Sequence, residues 1–426
     1  MKMKRIAAIG LPILLSMSLV GCGTAEGDND SSVTTVASAT TQTTDVSASS
    51  DETASTESAE DTTGSASVSA VSSVDGSLLD TSDLFTDRDL EQSADLTDAT
   101  QIDLVSGQDV TLTEEGVYVL SGEATDVTVV VEADDEAKVQ IVLEGVTIEN
   151  EAAPAIYVKS ADKVFVTTTS SDNVMEVTGS YVADEDTNLD AVIFSKDDLV
   201  LNGTGTLTIV SAEGNGITSK DDLKVTGGTY SITSLMDALE ANDSIRIAGG
   251  DITIVTDKDG LHSEYDEDLS VGYIYILDGT LNITAADDAI RGTSIVQIDG
   301  GTINIETCTE GIEATQIQIN GGDIDIYATD DGINATAKSN VYDVILEING
   351  GTINVNMASG DTDAFDSNGA LYINAGTIDI TAPTSSFDVM GTAQLNGGTV
   401  TVNGQTITQI TQSQMGGPGG GRGGRG

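Results

Sequence analysis

Apolar and polar residues alternate with a period of two through most of the chain beyond residue 100, in short runs rich in Ile, Val, Leu and Thr. That period belongs to half-buried β-strands. The runs themselves recur. A Gly-Thr or Gly-Asp step opens Gly205-Thr206-Leu207-Thr208-Ile209 and returns at Gly228, Gly250, Gly279, Gly301, Gly322, Gly351, Gly376 and Gly398. These starts lie 23, 22, 29, 22, 21, 29, 25 and 22 residues apart, one period of about 22 with two seven-residue insertions. Each unit carries three apolar pulses: a strand such as Thr302-Ile303-Asn304-Ile305, a step such as Gly311-Ile312-Glu313-Ala314, and a strand such as Gln316-Ile317-Gln318-Ile319. Three short strands in about 22 residues predict one turn of a parallel β-helix, with the glycine pairs at its corners. The fold class is therefore all-β, a parallel β-helix solenoid, right-handed by the general preference of parallel crossovers. A leucine-rich solenoid of similar period would need a Leu-rich segment, an Asn or Cys ladder and a convex helix, and the pattern shows none.

Irregular versions of the pulses between Asp103 and Leu201 extend the solenoid upstream, with longer excursions such as Ser170 to Leu189. Asp83 to Ser93 is expected to form a short helix or arm covering the first turn, because a solenoid end must be capped. The solenoid domain spans 78–415, followed by a flexible Gly/Arg tail over 416–426.

The N-terminus reads as an address. Lys2, Lys4 and Arg5 precede an apolar run from Ile6 to Val20, shorter than the roughly 20 residues that span a bilayer. The run ends in Leu19-Val20-Gly21-Cys22, which resembles a bacterial lipobox. Residues 1–21 are thus expected to be a lipoprotein signal peptide, with Cys22 the lipidated first residue of the mature chain. Residues 22–77 are mostly Ser, Thr, Ala, Asp and Glu, a disordered tether that lifts the domain off the membrane. The expected location is extracellular, lipid-anchored to the bacterial cell membrane, with membrane contact through the anchor only. Cys308 then has no partner and is expected to be a small buried hydrophobe.

Charge narrows the chemistry. The chain carries 70 Asp and Glu against 16 Lys and Arg, a net charge of −54, with one His and no Trp. Such a chain repels nucleic acid. One histidine nearly excludes His-based zinc sites and Ser-His-Asp catalysis, and two cysteines exclude a disulfide scaffold.

The acids are not scattered. At the second pulse an acid precedes a small and then an apolar residue: Asp237-Ala238-Leu239, Asp259-Gly260-Leu261, Asp288-Ala289-Ile290, Glu310-Gly311-Ile312, Asp331-Gly332-Ile333 and Asp363-Ala364-Phe365, with Asn215 opening the series. In register they would stack about 4.8 Å apart, where two bare carboxylates repel by roughly 3.5 kcal/mol at an effective dielectric of 20. The column must be solvated, protonated or cation-bound. Asp257, Asp287 and Asp330 precede it and add oxygens, while Glu240, Glu313, Asn334 and Asp366 lie three residues beyond it. An all-oxygen set without His or Cys suits a hard cation, and calcium, with 6–8 oxygens and irregular geometry, suits it better than magnesium. The candidate ligands are Asp237, Asp257, Asp259, Asp287, Asp288, Glu310, Asp330, Asp331 and Asp363. The plainer alternative is a solvated acidic flank. His262 and Arg291 fall where Glu240 and Glu313 fall in neighbouring turns. Arg291 either pairs with the acids or meets a ligand carboxylate, and His262 is expected to be a hydrogen-bonded surface residue.

Several segments carry a family resemblance. Phe85-Thr86-Asp87-Arg88-Asp89-Leu90, the stretch from Ala155 to Val164, the repeated Ser-Lys-Asp-Asp-Leu at Ser195 and Ser219, and the Asp-Gly-Ile turns are similar to secreted clostridial carbohydrate-binding β-helix proteins. The resemblance implies a calcium-containing, right-handed β-helix related in shape to pectate lyases. It further implies binding of cellulose and of acidic sugars such as polygalacturonate. Calcium would sit at Asp259, Asp288 and Asp331, with neighbours Asp257, Asp287 and Asp330. The chain departs from that pattern where Ala follows Asp288 and Asp363, where Gly-Leu follows Asp259, and where Glu310 and Asn215 replace Asp. Arg291, Tyr265 and Tyr273 are candidate sugar contacts. The expected function is calcium-dependent, non-catalytic binding of plant cell-wall polysaccharide by a monomer at the cell surface. Two alternatives stay open: a pectate-type lyase with Lys258 or Arg291 as base, and a structural adhesin without sugar affinity. A lysine among carboxylates is held in its charged form, the wrong form for a base.

Overall fold

Alternation fixes the strands and their register fixes the coil. In the computed structural model, which describes residues 76–360 and 362–411, the Gly-Thr and Gly-Asp steps fall into one column. Thr206, Thr229, Asp251, Thr280, Thr302, Asp323, Thr352, Thr377 and Thr399 pair in parallel from turn to turn. The next residue of each strand, from Leu207 through Ile303 to Val400, points inward and is buried. Each such side chain contributes about 1.5–3 kcal/mol on leaving water. The fold is a parallel β-helix. The expected signal peptide, the expected lipidation site Cys22, nearly all of the expected tether and the Gly/Arg tail lie outside the described residues.

Twelve strands, from Val110–Leu112 to Ser385–Val389, stack as one sheet. The other 24 strands among the described residues form two ladders that share the long strands Gly116–Thr125 and Lys138–Asn150 and are separate from Lys163 onward. The corner glycines are required by backbone geometry: Gly301 and Gly322 sit at φ 87° and 96°. A Cβ on Gly321 would lie 2.4 Å from the Asp299 carbonyl. Cys308 is buried, as expected, and burial pushes its thiol up to about 12.

Three expectations need correction. An Asn ladder does exist, one step before the glycine pairs. Asn349 donates to Asn320 (3.0 Å), Asn374 to Asn349 (2.8 Å) and Asn396 to Asn374 (2.8 Å). A carboxamide donates and accepts at once, so like can stack on like at any solenoid corner, not only in leucine-rich repeats. The long excursion is also shorter than expected, because Asp172–Val177 is a regular strand and only 178–190 leaves the coil.

The N-terminal arm, finally, does not cover the first turn. It runs lengthwise along the outer face of one ladder. Leu78 and Leu79 donate to Gln318 and Gln297, Phe85 packs on Tyr275 at 6.2 Å, and Arg246 donates to the Leu84 carbonyl. Arg88 lies over the Phe165 ring at 4.7 Å, and Gln92 bonds Thr226 and Gly203. The reason is the ladder's outer row of Lys, Arg, Gln and Tyr, whose buried donors need acceptors. Asp89 is fully buried, with Lys163 at 3.2 Å and Lys224 at 3.5 Å. The C-terminal end is closed by Gln405–Ile407 folding back antiparallel on Thr399–Val402 through Asn403-Gly404, both at positive φ. No helix among the described residues is long and apolar enough to cross a membrane.

Asp89→Asn removes the charge between two buried ammonium groups and should cost about 3–5 kcal/mol. Chemical denaturation checks this, and a loss below 1 kcal/mol would show that the arm is not fastened there.

Candidate functional site

The site lies on the outer face of the 12-stranded sheet, where Leu239–Ala241, Leu261–Ser263, Ile290–Gly292, Ile312–Ala314, Asp331–Ala335 and Asp363–Ser367 stack in register. Their apolar members, Leu239 to Phe365, form one inward column. Two rows flank it. One is the acid row Asp237, Asp259, Asp288, Glu310, Asp331 and Asp363. The second, by register, is Glu240, His262, Arg291, Glu313, Asn334 and Asp366.

The acid row clamps the turns together. An oxygen of Asp237 accepts the Asp259 backbone N–H (3.1 Å), one of Asp259 that of Asp288 (2.9 Å), and one of Asp331 that of Asp363 (3.2 Å). Each carboxylate thereby keeps a second oxygen for other work.

Cations interleave the N-terminal part of the column. Asp237 meets Lys258 Nζ at 2.7 Å and His262 Nδ1 at 3.1 Å, and His262 Nε2 reaches Glu264 at 2.9 Å. Burial opposes the imidazolium, but these hydrogen bonds outweigh it and raise His262 to about 9, so the ring is charged at neutral pH. Arg291 lies 3.5–3.9 Å from Asp259, Glu264, Asp288 and Glu313. Lys338 reaches Glu313 at 2.7 Å. The two insertions deliver Glu264 and Lys338 and touch each other through Ser339 on Leu269 (2.7 Å) and Tyr342 on Ser270 (3.0 Å).

Further along, acids accumulate. Burial and then the charges of Asp259 and Glu310 push Asp288 well above the carboxylate range, and burial with Glu313 does the same to Glu310. Asp331 rises to about 8 through burial and Asp366.

Among the described residues, two all-carboxylate groups on this face have ligand atoms within 4.8 Å of one another: Asp259, Asp287 and Asp288, and then Asp288, Glu310 and Glu313. Asp259 is fully buried, and its Oδ2 accepts no hydrogen bond. A third group, Asp237, Asp259 and His262, is closed by Lys258 and a protonated imidazole and does not suit a cation. Of the other candidate ligands, Asp257 and Asp330 are exposed and join no such group, while Asp331 and Asp363 pair in register near Asp366 but belong to no group of three that close. Glu313 was visible only as a neighbouring oxygen three residues past the column. A fourth group, Asp198, Asp221 and Asp222, comes from the two Ser-Lys-Asp-Asp-Leu segments, which stack in register.

The tyrosines divide. Tyr265 is half-buried on the first insertion, its hydroxyl donating to Glu267 at 3.3 Å. Tyr273 belongs to a different sheet, under the Arg246 guanidinium at 5.3 Å. Tyr275 is buried against the arm.

The model of the carbohydrate-binding domain-containing protein family matches residues 106–364, more than half of the chain, and the chain belongs to that family. A carbohydrate-binding domain-containing protein of Acetivibrio thermocellus is 36% identical over 131 residues, which are 30% of this chain and 46% of that protein. The chain thus matches less than half the length of that relative. The structure of a polysaccharide lyase-like protein from C. thermocellum, a gadolinium derivative, shares 31% identity at a TM-score of 0.45, covering 53% of this chain and 92% of that one.

The raised carboxyls set the pH dependence. Their folded pKa values exceed the unfolded ones, so the folded state holds extra protons and stability falls as pH rises from about 4 through about 8. His262 prolongs the fall to about 9. In chelator, melting temperature should drop from pH 5 to pH 9, and Asp331→Asn should stabilise the protein at pH 8 by about 1 kcal/mol or more. A melting temperature that climbs over this range contradicts the burial of these groups.

Proposed function

We propose that this protein binds plant-type polysaccharide, cellulose or an acidic pectic chain, in a calcium-dependent and non-catalytic way, as a lipid-anchored domain outside the bacterial cell. Sugar binding is supported by the family. Calcium is supported by one observation above the others: the buried Asp259 oxygen without a hydrogen bond, beside Asp287 and Asp288. Arg291 and His262 stand 3.6 Å from that oxygen, beyond hydrogen-bond reach, so its accepting capacity is unspent, and an all-oxygen donor set fits a hard cation. Asp259, Asp287 and Asp288 would hold one ion, and Asp288, Glu310 and Glu313 another. Bound calcium supplies the positive charge the column lacks. Three carboxylates give fewer oxygens than the 6–8 that calcium takes, leaving room for a sugar carboxylate or hydroxyl. Without such an ion a chain of charge −54 repels polyuronate.

Catalysis is disfavoured by the bases at hand. Burial alone would lower the Lys258 ammonium, but its hydrogen bond to Asp237 outweighs this and holds it charged. Arg291 is likewise held charged by Asp259 and Glu264 against the effect of burial. Neither is poised to abstract a proton.

The test is a thermal melt of the full chain with calcium or chelator, with and without polygalacturonate, while absorbance near 232 nm is followed. At calcium a hundredfold above Kd the expected stabilisation is about 2.7 kcal/mol, with a further shift from the sugar and flat absorbance. Asp288→Asn should remove most of the calcium shift. Absence of any calcium shift overturns the metal reading, and rising absorbance makes the protein a lyase.

A further inference from the structure

We propose that a cavity beside the N-terminal end of the acid row is a subsite for one or two neutral pyranose units; this rests on the carbohydrate-binding reading above and names the sugar chemistry of one part of the face. The cavity, about 430 Å³, lies between the 178–190 excursion and the turns at 213–215 and 236–240. That volume falls within the roughly 300–1,000 Å³ of small-molecule sites.

Its outer wall is held in place. Lys159 pairs with Asp184 at 2.7 Å, Val182 N–H donates to Ala152 at 2.9 Å, and the Tyr181 and Ser211 hydroxyls are 2.8 Å apart. The floor needs glycine, because a Cβ on Gly214 would lie 2.6 Å from the Tyr181 ring and 2.3 Å from the Asp190 carbonyl. Unspent hydrogen-bonding capacity converges on this space. Asp190 lines it with a part-exposed side chain whose Oδ2 lies 3.9 Å from Lys220 Nζ, beyond hydrogen-bond reach. Asn215 uses its amide N–H groups on Thr218 and Glu240, which leaves its carbonyl oxygen. Lys258 uses one of three N–H donors on Asp237. Met236, 40% exposed, adds an apolar ledge of the kind that meets the C–H face of a pyranose.

The charge of the lining selects among sugars. Asp190, Glu213, Asp237 and Glu240 outnumber Lys258. Carboxylates accept strong hydrogen bonds from neutral sugar hydroxyls and repel a uronate carboxylate. The cavity therefore favours a neutral glycan, in contrast to the cation-suited groups around Asp288.

Native gels of the full chain, cast with soluble neutral β-glucan or with polygalacturonate and run with calcium, test this. Wild type should be retarded by the glucan. Met236→Glu, a change at an exposed side chain, should weaken that retardation at least tenfold in apparent Kd while leaving the circular dichroism unchanged. Glu213→Lys, also exposed, should strengthen retardation by polygalacturonate. If Met236→Glu is retarded by glucan as strongly as wild type, the cavity is not a subsite, although carbohydrate binding stands. If wild type responds only to polygalacturonate, the neutral subsite is likewise overturned. If neither polymer retards wild type, the carbohydrate-binding reading fails, and the subsite with it.

Discussion

In-register stacking is the constraint on which this molecule depends. A parallel coil places each residue about 4.8 Å from its counterparts in the turns before and after, so every choice of side chain is made in a column. Ile, Leu and Val gain from this, and the inner columns show it. Carboxamides satisfy it by donating one way and accepting the other, as Asn320, Asn349, Asn374 and Asn396 do. Carboxylates cannot, because an ionised acid only accepts.

The acid row meets that problem in two ways. Backbone N–H groups of the following turn satisfy one oxygen of Asp237, Asp259 and Asp331. Charge is balanced by Lys258, His262, Arg291 and Lys338, but unevenly. Asp237 is fully compensated, whereas Asp288, Glu310 and Asp331 are left with carboxyls pushed upward by burial and by one another. A stretch where carboxylates outnumber Arg291 and Lys338 is where an external cation gains most. The same arithmetic operates on the opposite flank, where buried Lys163 and Lys224 draw Asp89 and the arm onto the ladder.

Repetition made the coil legible in the sequence. A period of about 22 and strict alternation are local signals, and the Gly-Thr column appears in the structure as read, turn by turn. The pairing of Glu240, His262, Arg291 and Glu313 in one row was also legible, because register follows from the period. What escaped was contact between segments far apart in the chain. Nothing local announces that Asp89 meets Lys163 and Lys224, or that the insertion carrying Ser339 lands on Leu269. The Asn ladder stands in plain view two residues before the corner glycines, but an Asn column is also the mark of leucine-rich repeats, so it does not by itself announce a β-helix. Asp237 read as a ligand because its sequence context matches Asp259; the lysine and imidazole that close it come from the next turn.

The central claim is that carboxylates around Asp288 balance their charge with calcium. Asp288 belongs to both candidate groups, whereas Asp237 belongs to neither. Counting bound calcium by equilibrium dialysis on the full chain and two variants is therefore the most direct measurement. The account predicts that Asp288→Asn loses tight calcium binding and that Asp237→Asn keeps it. Wild-type stoichiometry and affinity in Asp288→Asn would contradict the account.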